Sequence, residues 1–144
     1  MKILAVDFGD ARTGLAICDK TEFLASPLCV VTEYNAQKTV EKVAQAAKEQ
    51  RAELIVVGHP LNMNGTQGER AKKCQAFAEL LAQQADVPVK LWDERSTTVT
   101  AHQYLNQTDT RGKKRKAVVD AVAATIILES YLSYRKNHRE EAQE

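Results

Sequence analysis

The sequence predicts an α/β fold with a mixed five-stranded sheet, strand order 3-2-1-4-5, flanked by helices. Three short apolar segments near the N-terminus are joined by short links, a pattern typical of an antiparallel meander. Two later apolar segments each follow a helical pattern, and right-handed crossovers place both strands parallel to the first and on its other side. A length of 144 residues suits one domain over 1–144.

The first three strands are predicted over 2–7, 12–19 and 23–31. Each is a short run rich in apolar residues, as expected of a strand in a protein core. Pro27 interrupts the third run, which favours an edge strand or a bulge because proline cannot donate a backbone hydrogen bond.

Helices and parallel strands alternate in the middle of the chain. The strand at 53–58 is continuously apolar, as a central parallel strand would be. A loop follows at 59–65, and Pro88 introduces the fifth strand at 87–92. The two helices show apolar residues at helical spacing: Val40, Val43, Ala44 and Ala47 in the first, and Ala71, Cys74, Phe77, Ala78 and Leu81 in the second.

The C-terminal third is predicted to be mainly helical. A short helix at 98–105 precedes a polar loop at 106–112. A long, mostly apolar helix follows at 116–134. The charged tail from 135 is expected to fray.

The overall composition is that of an ordinary globular protein. Hydrophobic residues make up 44% and charged residues 27% of the chain, which argues against wholesale disorder. No apolar run reaches the roughly 18 residues of a membrane helix, so no membrane partner is expected. The three cysteines form no CxxC pair, which disfavours a disulfide framework or a zinc site and favours a reducing cytoplasm.

Acidic residues follow two strands that are predicted to be parallel and close together. Asp7 ends the first strand, while Asp93 and Glu94 follow the fifth. Ligands of open α/β sheets bind outside the carboxyl ends of the parallel strands, so these carboxylates are candidates for a site. Each also has a structural interpretation, as a turn residue or as the start of a helix.

Asp120 lies in the apolar segment 117–127 of the predicted long helix. A buried isolated carboxylate is unfavourable, so such a group neutralises, pairs or binds a metal. An ordinary ion pair with Lys116 is the alternative interpretation.

Asp7, Glu94 and Asp120 together would form a cluster of three carboxylates at one end of the sheet. Their mutual repulsion would favour a divalent cation, and oxygen-only ligands favour Mg²⁺ or Mn²⁺. One or two such ions can support phosphodiester hydrolysis by activating water. The pattern therefore predicts a metal-dependent catalytic site.

Basic residues just before Asp120 suggest a phosphate-containing substrate. They fill five of the six positions at 111–116, although the net charge of the whole chain is only +1. Phosphate contacts supply much of the affinity for nucleic acid. A solvated charged face and a plain surface loop are the alternatives. The candidate nucleic-acid-binding residues are Arg12, Arg95, Lys113, Lys114, Arg115, Asn62 and Asn64.

Four motifs occur in an order that resembles a known family. They are Asp7-Phe8-Gly9 with Arg12-Thr13-Gly14, the segment Gly58-His59-Pro60-Leu61-Asn62-Met63-Asn64-Gly65, Asp93-Glu94-Arg95 with Thr97 and Thr98, and Lys113-Lys114 leading to Val119-Asp120. Together they resemble the bacterial pre-16S rRNA nuclease family, also described as Holliday junction resolvases. The resemblance extends to Tyr134.

The resemblance implies a ribonuclease H-like fold and a cytoplasmic, metal-dependent nuclease that processes the 5′ end of pre-16S rRNA. It makes Asp7, Glu94 and Asp120 the catalytic, metal-binding carboxylates. His59 departs from the pattern, because an aliphatic residue is common at that position. A fourth acidic ligand is not evident, since strand alternation points Asp93 away from Glu94.

Other functions stay open at this point. The same chemistry on branched DNA would require a dimer with paired sites, and the oligomeric state is not evident from the sequence. A non-catalytic nucleic-acid-binding protein could have the same fold. The segment Asp7-Phe8-Gly9 also resembles the first phosphate loop of sugar kinases, but those proteins need two domains.

Overall fold

The computed structural model describes residues 1–94 and 112–143, and the side chains of 1–94 and 122–137. The short helix predicted at 98–105 lies outside the described residues, as does the loop predicted at 106–112 apart from Gly112. The described elements are β1 (Ile3–Asp7), β2 (Arg12–Cys18), β3 (Ala25–Thr32), α1 (Ala36–Glu49), β4 (Leu54–His59), α2 (Glu69–Gln84), β5 (Val89–Asp93) and α3 (Gly112–Gln143).

The five strands form one mixed sheet in the order β3-β2-β1-β4-β5, which confirms the predicted order. β1 pairs antiparallel with β2, and β2 with β3. β4 pairs parallel with β1 and with β5. The short N-terminal links therefore make hairpins, and the later helical connections make the parallel crossovers.

Each face of the sheet is covered by different helices. Alternate residues of β1 point to opposite faces, so Leu4 and Val6 join one buried cluster and Ile3 and Ala5 join another. The first cluster includes apolar residues of α1 and α2, and the second includes those of α3. The continuous apolar character of β1 and β4 follows from this burial on both faces.

The first edge strand begins two residues later than predicted. Asp19 explains the difference, because its carboxylate accepts hydrogen bonds from the backbone N–H groups of Phe23 (2.9 Å) and Leu24 (3.4 Å). These bonds close a turn before Ala25, and both apolar side chains of the turn are exposed. Pro27 lies in this edge strand, and the β2–β3 pairing skips the next residue, since Ala16 pairs with Pro27 and Leu15 with Cys29; both expectations for Pro27 are therefore confirmed.

The last helix is longer than the predicted span 116–134. It begins at Gly112 and continues to Gln143, while fraying of the tail from 135 stays a prediction. No glycine or proline interrupts 113–143, and lysine, arginine, glutamate and glutamine all have high helix propensity. None of the described helices is long and apolar enough to cross a membrane.

Two polar contacts fix α3 on the sheet. The indole N–H of Trp92 donates to the Ser130 hydroxyl at 3.1 Å. The Arg135 guanidinium donates to the Glu22 carboxylate, with Nε and Oε1 2.6 Å apart, and the Glu22 side chain is 6% exposed. The N-terminal amine lies 3.4 Å from the same carboxylate. The β2–β3 turn is thereby bound to the second half of α3.

We expect Arg135→Ala to lower the free energy of unfolding by about 2 kcal/mol, because it leaves a largely buried carboxylate without its main partner. Chemical denaturation at neutral pH measures this loss. Lys136→Ala is the matched control: Lys136 is exposed, and its replacement should change stability by less than about 0.5 kcal/mol. Equal effects of the two substitutions would show that the Arg135 contact does not fix the helix.

Candidate active site

The carboxyl ends of β1, β4 and β5 meet at one edge of the sheet. Asp7 is the last residue of β1, His59 of β4 and Asp93 of β5, and Glu94 follows directly. The backbone N–H of Glu94 donates to the His59 carbonyl at 3.1 Å, which extends the alignment of these two strand ends. The structure thus brings two of the three predicted catalytic carboxylates to the predicted edge.

Gly58 lies between the two carboxylates. A Cβ atom at Gly58 would lie 2.7 Å from Cδ of Glu94 and 2.6 Å from Cδ1 of Ile127. The Glu94 side chain therefore covers Gly58 on the face that α3 also covers. Val6 is in register with Val57, so Asp7 lies beside Gly58 at the ordinary spacing of about 4.8 Å between neighbouring strands.

Asp7 belongs to the same face of the sheet as Glu94. It continues the alternation of Ile3 and Ala5, which pack in the cluster under α3. Asp93 has the opposite parity, and its register partner is His59. The expectation that Asp93 points away from Glu94 therefore agrees with the strand geometry.

Burial and like charge both act on Glu94. Burial, followed by the charge of Asp7, raises the pKa of Glu94 to about 7 from an ordinary value of 4.5. Asp93 adds a smaller repulsion, whereas Arg70 lowers the pKa. Simultaneous ionisation of the two carboxyl groups is therefore unfavourable in the absence of a cation. A bound cation would offset the repulsion between them.

Arg70 is a site residue that the sequence pattern did not reveal. It lies in the first turn of α2, and its Nη2 donates to the Phe8 carbonyl at 2.9 Å. The same nitrogen lies 4.0 Å from Oδ1 of Asp7. One signal was present in the sequence: Arg70 precedes Cys74 and Phe77 by four and seven residues, so it lies in line with the buried stripe of α2, although its own side chain is exposed.

The third predicted carboxylate is Asp120, whose backbone lies in α3. Its side chain lies outside the described residues. Position 120 precedes Ala124 by about one helical turn and Ile127 by two, and both of these residues are fully buried. Ile127 is also the residue that lies against Gly58. Among the described side chains, no group of three His, Cys, Asp or Glu residues is arranged to hold a metal.

The predicted nucleic-acid-binding residues are only partly described. Arg12 begins β2, and because β2 runs antiparallel to β1 it lies at the same edge of the sheet as Asp7. Lys113, Lys114 and Arg115 belong to the beginning of α3, but their side chains lie outside the described residues. Arg95 also lies outside them.

Asn62 and Asn64 form hydrogen bonds within their own loop. The Asn62 amide donates to the Thr66 hydroxyl at 3.0 Å, and Asn64 Oδ1 accepts from the Thr66 N–H at 3.1 Å. Gly65 adopts φ 86°, a conformation that glycine favours. Their described contacts therefore give these asparagines a role in shaping the loop, while nucleic-acid binding stays a prediction.

His59, which departs from the family pattern, ends the central parallel strand. Its Nε2 atom is buried and makes no hydrogen bond to any described residue. An unsatisfied buried nitrogen normally costs free energy. Packing therefore does not explain why a histidine stands at this position in place of the aliphatic residue of the family pattern.

Comparison with known proteins identifies the family. The family model described as "RuvX: Holliday junction resolvase" matches residues 1–134. The chain belongs to the RuvX family. A relative from Halothermothrix orenii is 42% identical over 135 residues, covering 94% of this chain and 96% of the relative. A relative from Protochlamydia amoebophila is 44% identical over 141 residues, covering 93% and 94%. Both are named "Putative pre-16S rRNA nuclease".

Solved structures confirm the ribonuclease H-like fold predicted for this RuvX-family chain. The structure of Thermus thermophilus RuvC matches with a TM-score of 0.57 at 18% identity, covering 95% of this chain and 97% of RuvC. The fowlpox virus resolvase, solved with Holliday junction DNA, matches with a TM-score of 0.55 at 14% identity, covering 93% and 98%. The RuvX-family chain is a nuclease, a hydrolase of phosphodiester bonds.

The raised pKa of Glu94 predicts a pH-dependent stability for the metal-free RuvX-family protein. The folded state holds the Glu94 proton more tightly than the unfolded state, so this group's contribution to stability falls as pH rises from about 4.5 to about 7. Glu94→Gln removes the titration. We therefore expect the variant to match the wild type near pH 4 and to be more stable near pH 8.

Thermal unfolding in the presence of a chelator measures this difference. Glu79→Gln, at an exposed position of α2, is the matched control and should show no such trend. A Glu94→Gln variant that is less stable than the wild type near pH 8 would contradict the assigned environment.

Proposed function

We propose that this RuvX-family nuclease hydrolyses pre-16S rRNA at its 5′ end, in the cytoplasm, with Asp7, Glu94 and Asp120 as its catalytic carboxylates. The observation that carries the proposal is the placement of Glu94 beside Asp7, over Gly58 and against α3. Two carboxyl groups that lie close together and partly buried lower the free energy of unfolding. A site that binds a cation and a phosphate substrate accounts for why this chain has both of them.

The donor set fits a hard divalent cation. Asp7 and Glu94 offer carboxylate oxygens, which Mg²⁺ and Mn²⁺ prefer. Asp120 would complete the set, because its position in α3 lies two turns before the residue that touches the site glycine. When bound, one or two such ions would activate the attacking water and stabilise the leaving oxygen.

The residues around the two carboxylates would shape the site and bind the phosphate backbone of the substrate. Gly58 leaves the space that the Glu94 side chain occupies, and Ile127 closes the site from the direction of α3. The basic residues would bind the phosphate backbone on either side of the scissile bond, with Arg12 at the sheet edge and Arg95, Lys113, Lys114 and Arg115 after β5 and at the start of α3.

Relatives and family description support two substrates. The curated relatives at 42% and 44% identity are named for pre-16S rRNA, which favours precursor RNA. The family description names Holliday junctions, which favours branched DNA as the second candidate. A resolvase would have to act as a dimer with paired sites. Membership of the family over 1–134 argues against the sugar-kinase interpretation.

The active-site assignment predicts that Asp7→Asn and Asp120→Asn each lower the rate of metal-dependent cleavage by about 10³-fold or more, with the fold retained. The loss of one negative ligand atom, at almost constant volume, is the cause. Asp86→Asn, at an exposed position before β5, is the matched control and should cleave at the wild-type rate.

Cleavage should be measured on labelled pre-16S rRNA and on a four-way DNA junction, each with Mg²⁺, with Mn²⁺ and with a chelator. Faster metal-dependent cleavage of the RNA supports the proposed function, and faster cleavage of the junction favours the resolvase. Binding without cleavage of either substrate would indicate a non-catalytic nucleic-acid-binding protein. Wild-type rates for both acidic-site variants would refute the assignment.

A further inference from the structure

We propose that Arg70 binds a non-bridging phosphate oxygen of the substrate beside Asp7, and so places the scissile phosphodiester against the catalytic carboxylates. This inference rests on the proposed function, because it takes the carboxylate pair to be the reaction centre. The proposed residue belongs to a different element from the basic residues considered so far, since it begins α2.

Two contacts between α2 and Phe8 fix the position of Arg70 relative to the site. Its Nη2 donates to the Phe8 carbonyl at 2.9 Å. The Phe8 ring in turn stacks on Phe77, with centroids 4.3 Å apart, and Phe77 lies two turns further along the same helix. Helix α2 therefore contacts the residue after Asp7 at two points, and this fixes the guanidinium relative to the carboxylate.

The guanidinium remains available to a ligand. Within the described part of the chain, its hydrogen bonding is limited to one neutral carbonyl, although the group has five N–H donors. The side chain is 57% exposed, and its closest approach to Asp7 is 4.0 Å, beyond hydrogen-bond distance. Arg135 shows the contrasting arrangement, because it donates through two nitrogens to Glu22 and is 23% exposed.

Charge explains why a cation is useful at this position. A phosphodiester is an anion, and it has to approach a site that contains Asp7 and Glu94. A guanidinium next to Asp7 offsets that repulsion and offers paired N–H donors that match two oxygens of one phosphate. A purely structural arginine would instead bind the Asp7 carboxylate directly.

The proposal predicts opposite effects of Arg70→Gln on two ligands. Removing a cation 4.0 Å from Asp7 should leave metal binding unchanged or tighten it by a few-fold. Removing a phosphate contact should weaken nucleic-acid binding by about 10-fold and reduce the slope of log K against log salt by about 1. A structural arginine would weaken both, because its loss would displace Asp7.

Arg70→Lys provides a second variant that keeps the charge. A lysine cannot make the paired contact, so the salt slope should stay close to that of the wild type while kcat falls and metal binding is unchanged. Lys48→Gln is the matched control: it removes one positive charge at the end of α1, away from the carboxyl ends of the strands. It should leave both kinds of binding and cleavage unchanged.

The experiment measures Mn²⁺ binding by calorimetry, and the binding of a labelled pre-16S rRNA fragment in chelator at several salt concentrations. Weaker RNA binding with undiminished Mn²⁺ binding in Arg70→Gln supports the proposal. Loss of both, or RNA binding equal to the wild type, overturns it. RNA binding is measured in chelator and so tests the Arg70 contact without a metal. If the wild type does not bind Mn²⁺, that result refutes the proposed metal site and leaves the RNA-binding test of Arg70 intact.

Discussion

The repulsion between Asp7 and Glu94 is the constraint on which the rest of the site depends. Parallel pairing through β4 fixes the two strand ends about two strand spacings apart, and Gly58 lets the Glu94 side chain lie in the space between them. Helix α3 covers that face and limits access of water, which strengthens the interaction of the charges.

Much of this arrangement follows from local sequence. Continuous apolar runs identify β1 and β4 as buried strands, and the alternation of strand and helix makes β1, β4 and β5 parallel neighbours. The position of Asp7 and Glu94 was therefore predictable: each lies at the end of an apolar run, and the carboxyl ends of parallel strands lie at the same edge of the sheet. Asp120 was predictable as a charged residue in an apolar helix, while its approach to the other two remains a prediction.

The features that escaped prediction depend on contacts between distant segments. By its sequence context Arg70 is one of many charged residues on a helix, and its proximity to Asp7 depends on the packing of α2 beside Phe8. Helix α3 extends beyond the predicted end at 134, and Arg135, just past that end, is bound by Glu22 of a turn 113 residues earlier. The start of β3 was misjudged because the Asp19 side chain closes a turn around two apolar residues.

The most direct test of the carboxylate site is a crystal structure of the protein soaked in Mn²⁺, with anomalous scattering used to locate the metal. The account predicts an anomalous peak about 2.0–2.3 Å from carboxylate oxygens of both Asp7 and Glu94, with an oxygen of Asp120 as a further ligand. A peak elsewhere in the molecule, or no peak at Mn²⁺ concentrations that support cleavage, would contradict it.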